Sequence, residues 1–589
     1  MDLGGSDTRG QIAALIAGAV LVVLACMFAL EGRLPGGRTD GPSWLALGGA
    51  VALFGVSAAS LLWASAPDLA WIDSNRMLMM LAALAIGFGV SPRPRDLPQA
   101  AVVLSLACLP IIAWALLTKI LPDLAPDGAG ARLAAPLGSF NALALVGALA
   151  LPGALWLTRR DGRTWGARAA AAYTLVLIVV VALTYSRSGA VAMLVGAGVL
   201  ITLAPNRPAL LASLASALVG ALPAIATGLT LHGLTTDGLA VADRRGAGAL
   251  LGVFVLAGAL VTLACRPVLE RLLMPRSQGW WRRAGALALA LVIFAVTAVL
   301  ASGGVSDTAV GNGSDRVTDV SFNNRIGWWG EAIRGFASAP LFGHGAGSFP
   351  LVHLRERANV NTVRSPHQLV LQIASDLGAV GVSLLVAMFI GIGWAAVRVG
   401  RNHGWGNVAP ALAVCTAFLV SAQVDVAWSI PLLFLPPFAL AGMLVGSATP
   451  RRKFGSAGPV TSGAAIALAT AALASLALPV AARHFLVRGE QSLALRHPAS
   501  ARSDARIAAS LNPFDIRAVA LRGKAANALG DAVGRRSAGD EAVSRQPENP
   551  LAWACLVSAS GQAPPLAAVR ELARLNPRDP AQAFPPVRC

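Results

Sequence analysis

Charge is what this 589-residue chain has least of. Asp, Glu, Lys and Arg together make 13% of it, against about 25% in a soluble globular protein. Hydrophobic residues make 56%, and the mean hydropathy is +0.65, which excludes a soluble fold of this size. Lysine is almost missing. Only Lys119, Lys453 and Lys524 occur, so arginine supplies the rest of the 47 basic residues, against 29 acidic ones, for a net charge of +18. Six cysteines in so long a chain exclude a disulfide scaffold. Cys26, Cys108, Cys265 and Cys415 lie in apolar runs without a CxxC pair, which removes structural zinc and thioredoxin-type chemistry. Asp-x-Asp, P-loop and clustered-ligand motifs are absent as well.

What the chain has is uncharged apolar runs long enough to cross about 30 Å of hydrocarbon. They fall near 11–30, 44–64, 76–92, 100–120, 139–157, 169–185, 188–204, 208–229, 246–265, 284–302, 375–397, 408–427, 429–447 and 461–482. The expectation is an all-α polytopic membrane protein with about 12–14 transmembrane helices. The first run is too long for a signal peptide and follows Asp2 and Asp7. Arginine alternates between the loops. One set holds roughly nineteen basic residues, among them Arg93, Arg95, Arg159, Arg207, Arg266, Arg398 and Arg451, and the opposite short loops hold roughly seven. The arginine-rich set is therefore cytoplasmic, and the basic excess marks a membrane face, with no nucleic acid implied. Both termini, the loop 303–369 and everything after 482 then lie outside.

This divides the chain into N-terminal membrane helices (1–302), a large outer loop with short helices (303–369), C-terminal membrane helices (370–482) and an outer helical tail (483–589). In the loop, Ile326, Trp329, Ile333 and Phe336 recur at helical spacing and predict an amphipathic helix. In the tail, Asn512-Pro513, Asn549-Pro550 and Asn576-Pro577 separate Ala-rich helical stretches. Their unequal spacing suits a degenerate tetratricopeptide-like array or a plain helical tail.

The spans carry almost no ionisable groups, since Asp376 and Asp425 fall near outer ends. That disfavours an ion-coupled transporter. The polar groups of interest collect at the outer face. In Tyr185-Ser186-Arg187-Ser188, Arg187 is either a snorkelling anchor or a planar guanidinium facing phosphate. In Asn323-Asn324-Arg325-Ile326-Gly327-Trp328-Trp329, either Asn suits an N-cap, and Arg325 with the first-turn N–H groups suits phosphate. The tryptophans suit an interfacial belt. Leu341-Phe342-Gly343-His344-Gly345-Ala346-Gly347 is a turn with close backbone approach, and it lacks the dinucleotide spacing. Ser365-Pro366-His367-Gln368 reads as a helix start with Ser365 as N-cap and Gln368 at N3. His367 would then occupy N2, where the helix dipole keeps an imidazole neutral and able to act as a base. His344, His353 and His367 match no metal-ligand spacing.

Taken in order, SRS at a membrane boundary, R-x-x-x-W, P-L-F-G-x-G-x-G-S-F and P-H before L-G-A-V-G resemble the O-antigen ligase and O-antigen polymerase superfamily. The likeness spans roughly 130 to 450 and is densest from Asn323 to Gly381. It implies a GT-C-like membrane fold in a bacterial inner membrane. It further implies transfer of a glycan from a lipid-linked oligosaccharide on undecaprenyl diphosphate to an acceptor hydroxyl at the periplasmic face, without metal or cofactor. Arg187 and Arg325 would hold the diphosphate and His367 would activate the acceptor. Arg132, before Gly138-Ser139-Phe140-Asn141, resembles a further outer-loop element, and Asp425 a polar residue near a late outer turn. Arg364, Trp328, Gly343, Gly345 and Gly347 complete the implied diphosphate- or glycan-binding set. Where the family often has Asn after the histidine, this chain has Gln368.

Three acceptors suit such chemistry. They are a growing glycan (polymerase), a lipid A core (ligase) and a protein hydroxyl (protein O-oligosaccharyltransferase). A flippase or chain-length regulator is a candidate partner. A non-catalytic polysaccharide or lipid-carrier transporter is the rival from another class.

Overall fold

The computed structural model describes residues 8–31, 40–125, 130–159, 164–273, 324–449, 458–561 and 564–578. The expected span at 284–302 and residue Asn323 lie outside them. Among the described residues every element is a helix.

The helices of the first half are α1 (Thr8–Leu30), α2 (Gly41–Leu62), α3 (Pro67–Val90), α4 (Pro94–Ile120), α5 (Phe140–Thr158), α6 (Trp165–Leu183), α7 (Arg187–Leu203), α8 (Arg207–Thr230) and α9 (Val241–Leu272). Two short helices follow, α10 (Arg325–Ser338) and α11 (Phe349–Glu356), and then α12 (Leu369–His403), α13 (Trp405–Ala422), α14 (Pro431–Ala448) and α15 (Pro459–Ala494). Twelve described helices are long and apolar enough to cross a membrane. These are all of the expected spans inside the described residues except 188–204. That run forms α7, which has 17 residues, rises about 26 Å and runs from the end of the bundle at Asn141 to the end at Arg159. A polytopic all-helical membrane protein is thus what the sequence folds into.

The bundle is centred on α5, 83% of whose span is buried and which packs on α4, α6, α7 and α13. Its sequence explains this, because Ala142 to Ala154 is an unbroken run of alanine, leucine, valine, glycine and proline with no polar face to expose. The α3–α14 pair approaches so closely that a Cβ on Gly87 would stand 2.0 Å from the Ala439 carbonyl oxygen. Such small-residue contacts do for membrane helices what hydrophobic burial does in water.

The helix ends sort into two layers. At one end, the Arg266 Nη2 donates to the Thr158 carbonyl, Asn206 donates to the Arg159 carbonyl, and Arg398 pairs with Asp40. At the other end lie Arg187, Asn141, Asp425, α10 and α11. α12 belongs to both. It has 35 residues and breaks at Gly378, where φ is +65°, so its first turns tilt away from the rest of the span.

α15 has 36 residues and is about 54 Å long, well beyond the hydrocarbon. Its far end carries the tail helices α16 (Pro498–Leu511), α17 (Ile516–Ala528), α18 (Ala532–Arg545), α19 (Pro550–Ala559) and α20 (Leu566–Leu575), each packed on the one before it. The tail has cores of its own, one of them built on Leu486, Ala505, Ala508, Ala518 and Leu521. Two of the three Asn-Pro signals shape the starts of tail helices. Asn549 caps α19, accepting from Leu551 N, and Asn512 accepts from Phe514 N just before α17.

Candidate active site

α7 begins with a capped turn. The Ser186 Oγ accepts from Gly189 N at 3.3 Å, which makes Arg187 the first helical residue. The same hydroxyl donates to Asn141 Oδ1 at 2.8 Å. Asn141 in turn donates from Nδ2 to Asp425 Oδ2, and Arg325 Nη2 donates to the same oxygen at 3.2 Å. The remaining oxygen of Asp425 accepts from Ala427 N at 3.0 Å and turns the chain toward α14. One line of hydrogen bonds therefore joins the starts of α7, α5 and α10 to the turn between α13 and α14.

The electrostatics of this cluster follow from its burial. The Asp425 side chain is 1% exposed and that of Arg325 17%. Burial pulls the Arg325 guanidinium below its ordinary range, with Asp425 opposing and the nearby Arg187 adding to the fall. Two guanidiniums close enough to repel each other gain from an anion placed between them, and their planar forks suit phosphate oxygens. Sequence position leaves Arg187 open between anchor and ligand. The structure brings it to Arg325.

His367 joins the same cluster by a route the sequence does not indicate. The expected helix start at Ser365 is displaced by three residues. The helix begins at Leu369, and Gln368 is its N-cap, accepting from Leu371 N through its side chain. Ser365 does not cap the helix because its hydroxyl is committed elsewhere, donating to Gln372 Oε1 at 2.7 Å and accepting from His367 N at 3.1 Å. His367 therefore stands before the helix at φ +59°, a conformation that costs a non-glycine residue roughly 1 kcal/mol or more. The helix-dipole argument for a neutral imidazole fails, but its conclusion has another cause. Burial lowers the His367 pKa below the ordinary 6.5, Asp425 opposes this, and Arg325 adds to it. Nδ1 donates to the Ser365 carbonyl at 2.9 Å, so in the neutral ring Nε2 keeps the lone pair. Trp328 stacks on the ring.

The other expected site residues separate into two kinds. Arg132 is buried, donates from Nε to the Thr184 carbonyl at 3.0 Å and lies 3.1 Å above the Phe140 ring. It closes the ends of α5 and α6 beside the cluster. Arg364 lies on the exposed surface just before the Ser365 turn. The glycines 343, 345 and 347 have φ of +64°, +95° and +66° and pack against protein backbone. A Cβ on Gly345 would stand 2.3 Å from Ala64, and one on Gly343 would stand 2.4 Å from the Asp376 carbonyl. Asp376 is buried where the sequence suggests an outer helix end, and it accepts from Gly347 N and Phe349 N at 3.1 and 2.9 Å. The loop thus wedges α11 against the tilted start of α12, and its glycines serve that close approach.

α10 also turns differently from expectation. Ile326 and Ile333 are exposed, and its buried residues are Glu331, Ala332 and Gly335. The buried face follows Trp328 and Glu331 because their partners, His367 and His353, lie there. Asn324 is the N-cap by position, at φ +65°, without a side-chain cap. Among the described residues no group of three or more His, Cys, Asp or Glu is arranged to hold a metal ion.

Sequence reasoning passes over Asn141 as a site residue, and also Gln423, whose Oε1 accepts from Gln368 Nε2 at 2.9 Å. Both carry the same faint signal, an amide at the end of an otherwise apolar run. Residues 234–386 match the family model Wzy_C, described as O-antigen ligase. That stretch contains Arg325, Trp328, the glycine loop and His367, while Arg187 and Asp425 fall outside it. No curated protein matches the chain.

Proposed function

We propose that this chain, whose match at 234–386 supports the O-antigen ligase/polymerase family, is a metal-independent glycosyltransferase of the bacterial inner membrane. In this reading it takes a glycan from undecaprenyl diphosphate and passes it to an acceptor hydroxyl at the periplasmic face. The surface polysaccharide so assembled is an O-antigen or exopolysaccharide. The observation that carries the reading is the meeting of Arg325 and His367 beside Asp425, with Arg187 next to Arg325, from three elements distant in sequence.

The chemistry needs two things from the protein. The acceptor hydroxyl gives its proton to His367 Nε2 as its oxygen bonds to the anomeric carbon, and the bond from that carbon to the diphosphate oxygen breaks. Undecaprenyl diphosphate leaves with the electron pair, and Arg187 and Arg325 offset the charge that grows on it. A single displacement of this kind inverts the anomeric carbon. Asp425 keeps Arg325 aimed, and Trp328 keeps the imidazole flat and dry. Positive charge in the loops at the opposite end supports the periplasmic placement of this end.

The test is release of undecaprenyl diphosphate from a lipid-linked oligosaccharide in proteoliposomes with an acceptor glycan and EDTA. Acceptor-dependent release that collapses in Arg187→Ala, Arg325→Ala and His367→Ala is expected. Carrier translocation indifferent to all three substitutions would replace the reading by a transporter. Surface glycans of a deletion strain then separate the acceptors, since short unpolymerised repeats mark a polymerase and free full-length polymer a ligase.

A further inference from the structure

α10, which bears Arg325, meets the strap 357–368, which carries His367, directly at the Trp328–His367 stack and a second time through α11. What joins all three is a buried histidine that the proposed chemistry does not use. His353 on α11 is 1% exposed and Glu331 on α10 is 5% exposed. The His353 Nδ1 lies 2.6 Å from Glu331 Oε2, and its Nε2 lies 2.9 Å from the Asn361 carbonyl oxygen in the strap. A carbonyl only accepts, so Nε2 carries a hydrogen. The short contact to Glu331 holds a second proton, on the ring or on the carboxyl, and both bonds exist in either case. Neither ring nitrogen is open to a substrate, in contrast to Nε2 of His367. Arg357 reinforces the strap from the other side, donating to the carbonyls of Val360 and Asn361 at 2.7 and 3.3 Å.

We propose that His353 is a positioning residue for the transfer reaction, a two-sided tether from Glu331 to the Asn361 carbonyl that sets how the arginine-bearing helix stands against the strap bearing His367. This rests on the glycosyl-transfer reading. The base and the diphosphate ligand come from different segments, and a misplacement of about 1 Å between such groups costs on the order of a hundredfold in rate. The tether acts on geometry rather than on donor affinity. Its loss therefore lowers kcat and leaves the KM for donor nearly unchanged.

The experiment compares His353→Phe, Glu331→Leu and Glu331→Gln with the wild-type chain. Phenylalanine keeps the ring volume and its packing near Phe349, whose ring centroid is 6.1 Å away. Glutamine at 331 can donate from its amide to Nδ1 while Nε2–H still reaches Asn361, so it keeps both bonds without the charge. In full-length protein, His353→Phe and Glu331→Leu are expected to lower kcat for carrier release about tenfold or more, with donor KM moving less than about threefold. They should also speed hydrogen exchange in 357–368, and Glu331→Gln should match wild type in both readouts. A His353→Phe chain with wild-type kcat and exchange overturns the proposal, as does a Glu331→Gln chain as impaired as Glu331→Leu. If wild type releases no carrier with any acceptor, the transferase reading fails by itself, and the exchange comparison still supports or overturns the tether.

Discussion

The indole of Trp328 stacks on the imidazole of His367, with ring centroids 5.0 Å apart and planes inclined by 29°. The contact joins the first turn of α10 to His367, two residues before α12, across a sequence gap that contains the glycine loop and α11. It covers one face of the ring while Nδ1 is held by the Ser365 carbonyl, which leaves a single nitrogen to meet a substrate.

The acid limb of kcat/KM reports this arrangement. Burial holds the His367 pKa below 6.5, so the neutral ring persists as pH falls, and activity should decline only below that value. Trp328→Ala admits water to the ring, weakens the burial that lowers the pKa, and should move the limb up toward 6.5. The folding contribution has the same sign. The unfolded chain binds the proton first, so the stability due to the buried neutral ring is present above about pH 6.5 and lost as pH falls below it. A pH–rate profile of wild type beside Trp328→Ala decides the matter, and an unmoved limb would show that the indole does not dry the ring.

How far this site is legible in the sequence depends on what fixes each residue. The spans are legible because crossing a bilayer demands length and apolarity, which a one-dimensional pattern records. Arg187 is legible as a polar residue between two apolar runs, and Arg325 as a first-turn residue of an amphipathic helix. The start of α12 escapes such reading because Ser365, Pro366 and Gln368 satisfy a capping pattern locally, and only the bond to Gln372, a full two turns on, draws the serine away. The buried face of α10 escapes it for a related reason. Periodicity finds the apolar stripe, whereas this helix buries Glu331 for a histidine 22 residues later. The resemblance gives the glycines a substrate-facing role, and the sequence alone does not record that their backbone partners are Ala64 and Asp376, at remote positions.

Arg325 and Asp425 form an ion pair that is mostly out of water. Removing one member of such a pair strands the other, at about 3–5 kcal/mol. Asp425→Ala should therefore lower the detergent melting temperature and also abolish carrier release, since Arg325 then loses the carboxylate that holds its guanidinium. Arg325→Ala alone should destabilise comparably. The double variant should recover part of the stability but none of the activity. Additive losses in the thermal-shift cycle would argue that the two groups do not interact.

Gly345 has φ +95° and no room for a Cβ, which would stand 2.4 Å from Ala64 Cα. Gly345→Ala should therefore either displace the loop from α2 or fail to fold, with a loss of about 1–3 kcal/mol. Gly393 provides the control, because it lies on the exposed side of α12 and a Cβ there would meet nothing within 4 Å. Gly393→Ala should be neutral or slightly stabilising. Equal melting temperatures for the two variants would contradict the packing role given to the loop.

The tail meets the site end of the bundle through two buried polar contacts. Gln546 Nε2 donates to Asp68 Oδ1 at 3.0 Å, and Arg357 Nη2 donates to Asn576 Oδ1 at 2.7 Å. The second contact reaches the strap that leads to His367, so the tail steadies the segment carrying that histidine. Asn576→Ala leaves a buried guanidinium edge without that acceptor, at about 1–3 kcal/mol, and loosens the strap locally. Trypsin should then cut faster at Arg355 and Arg357 in the purified protein. Gln546→Ala breaks the other contact and should leave those two cleavages nearly as slow as in wild type. If both variants are cut at the wild-type rate, the Asn576 contact does not steady the strap.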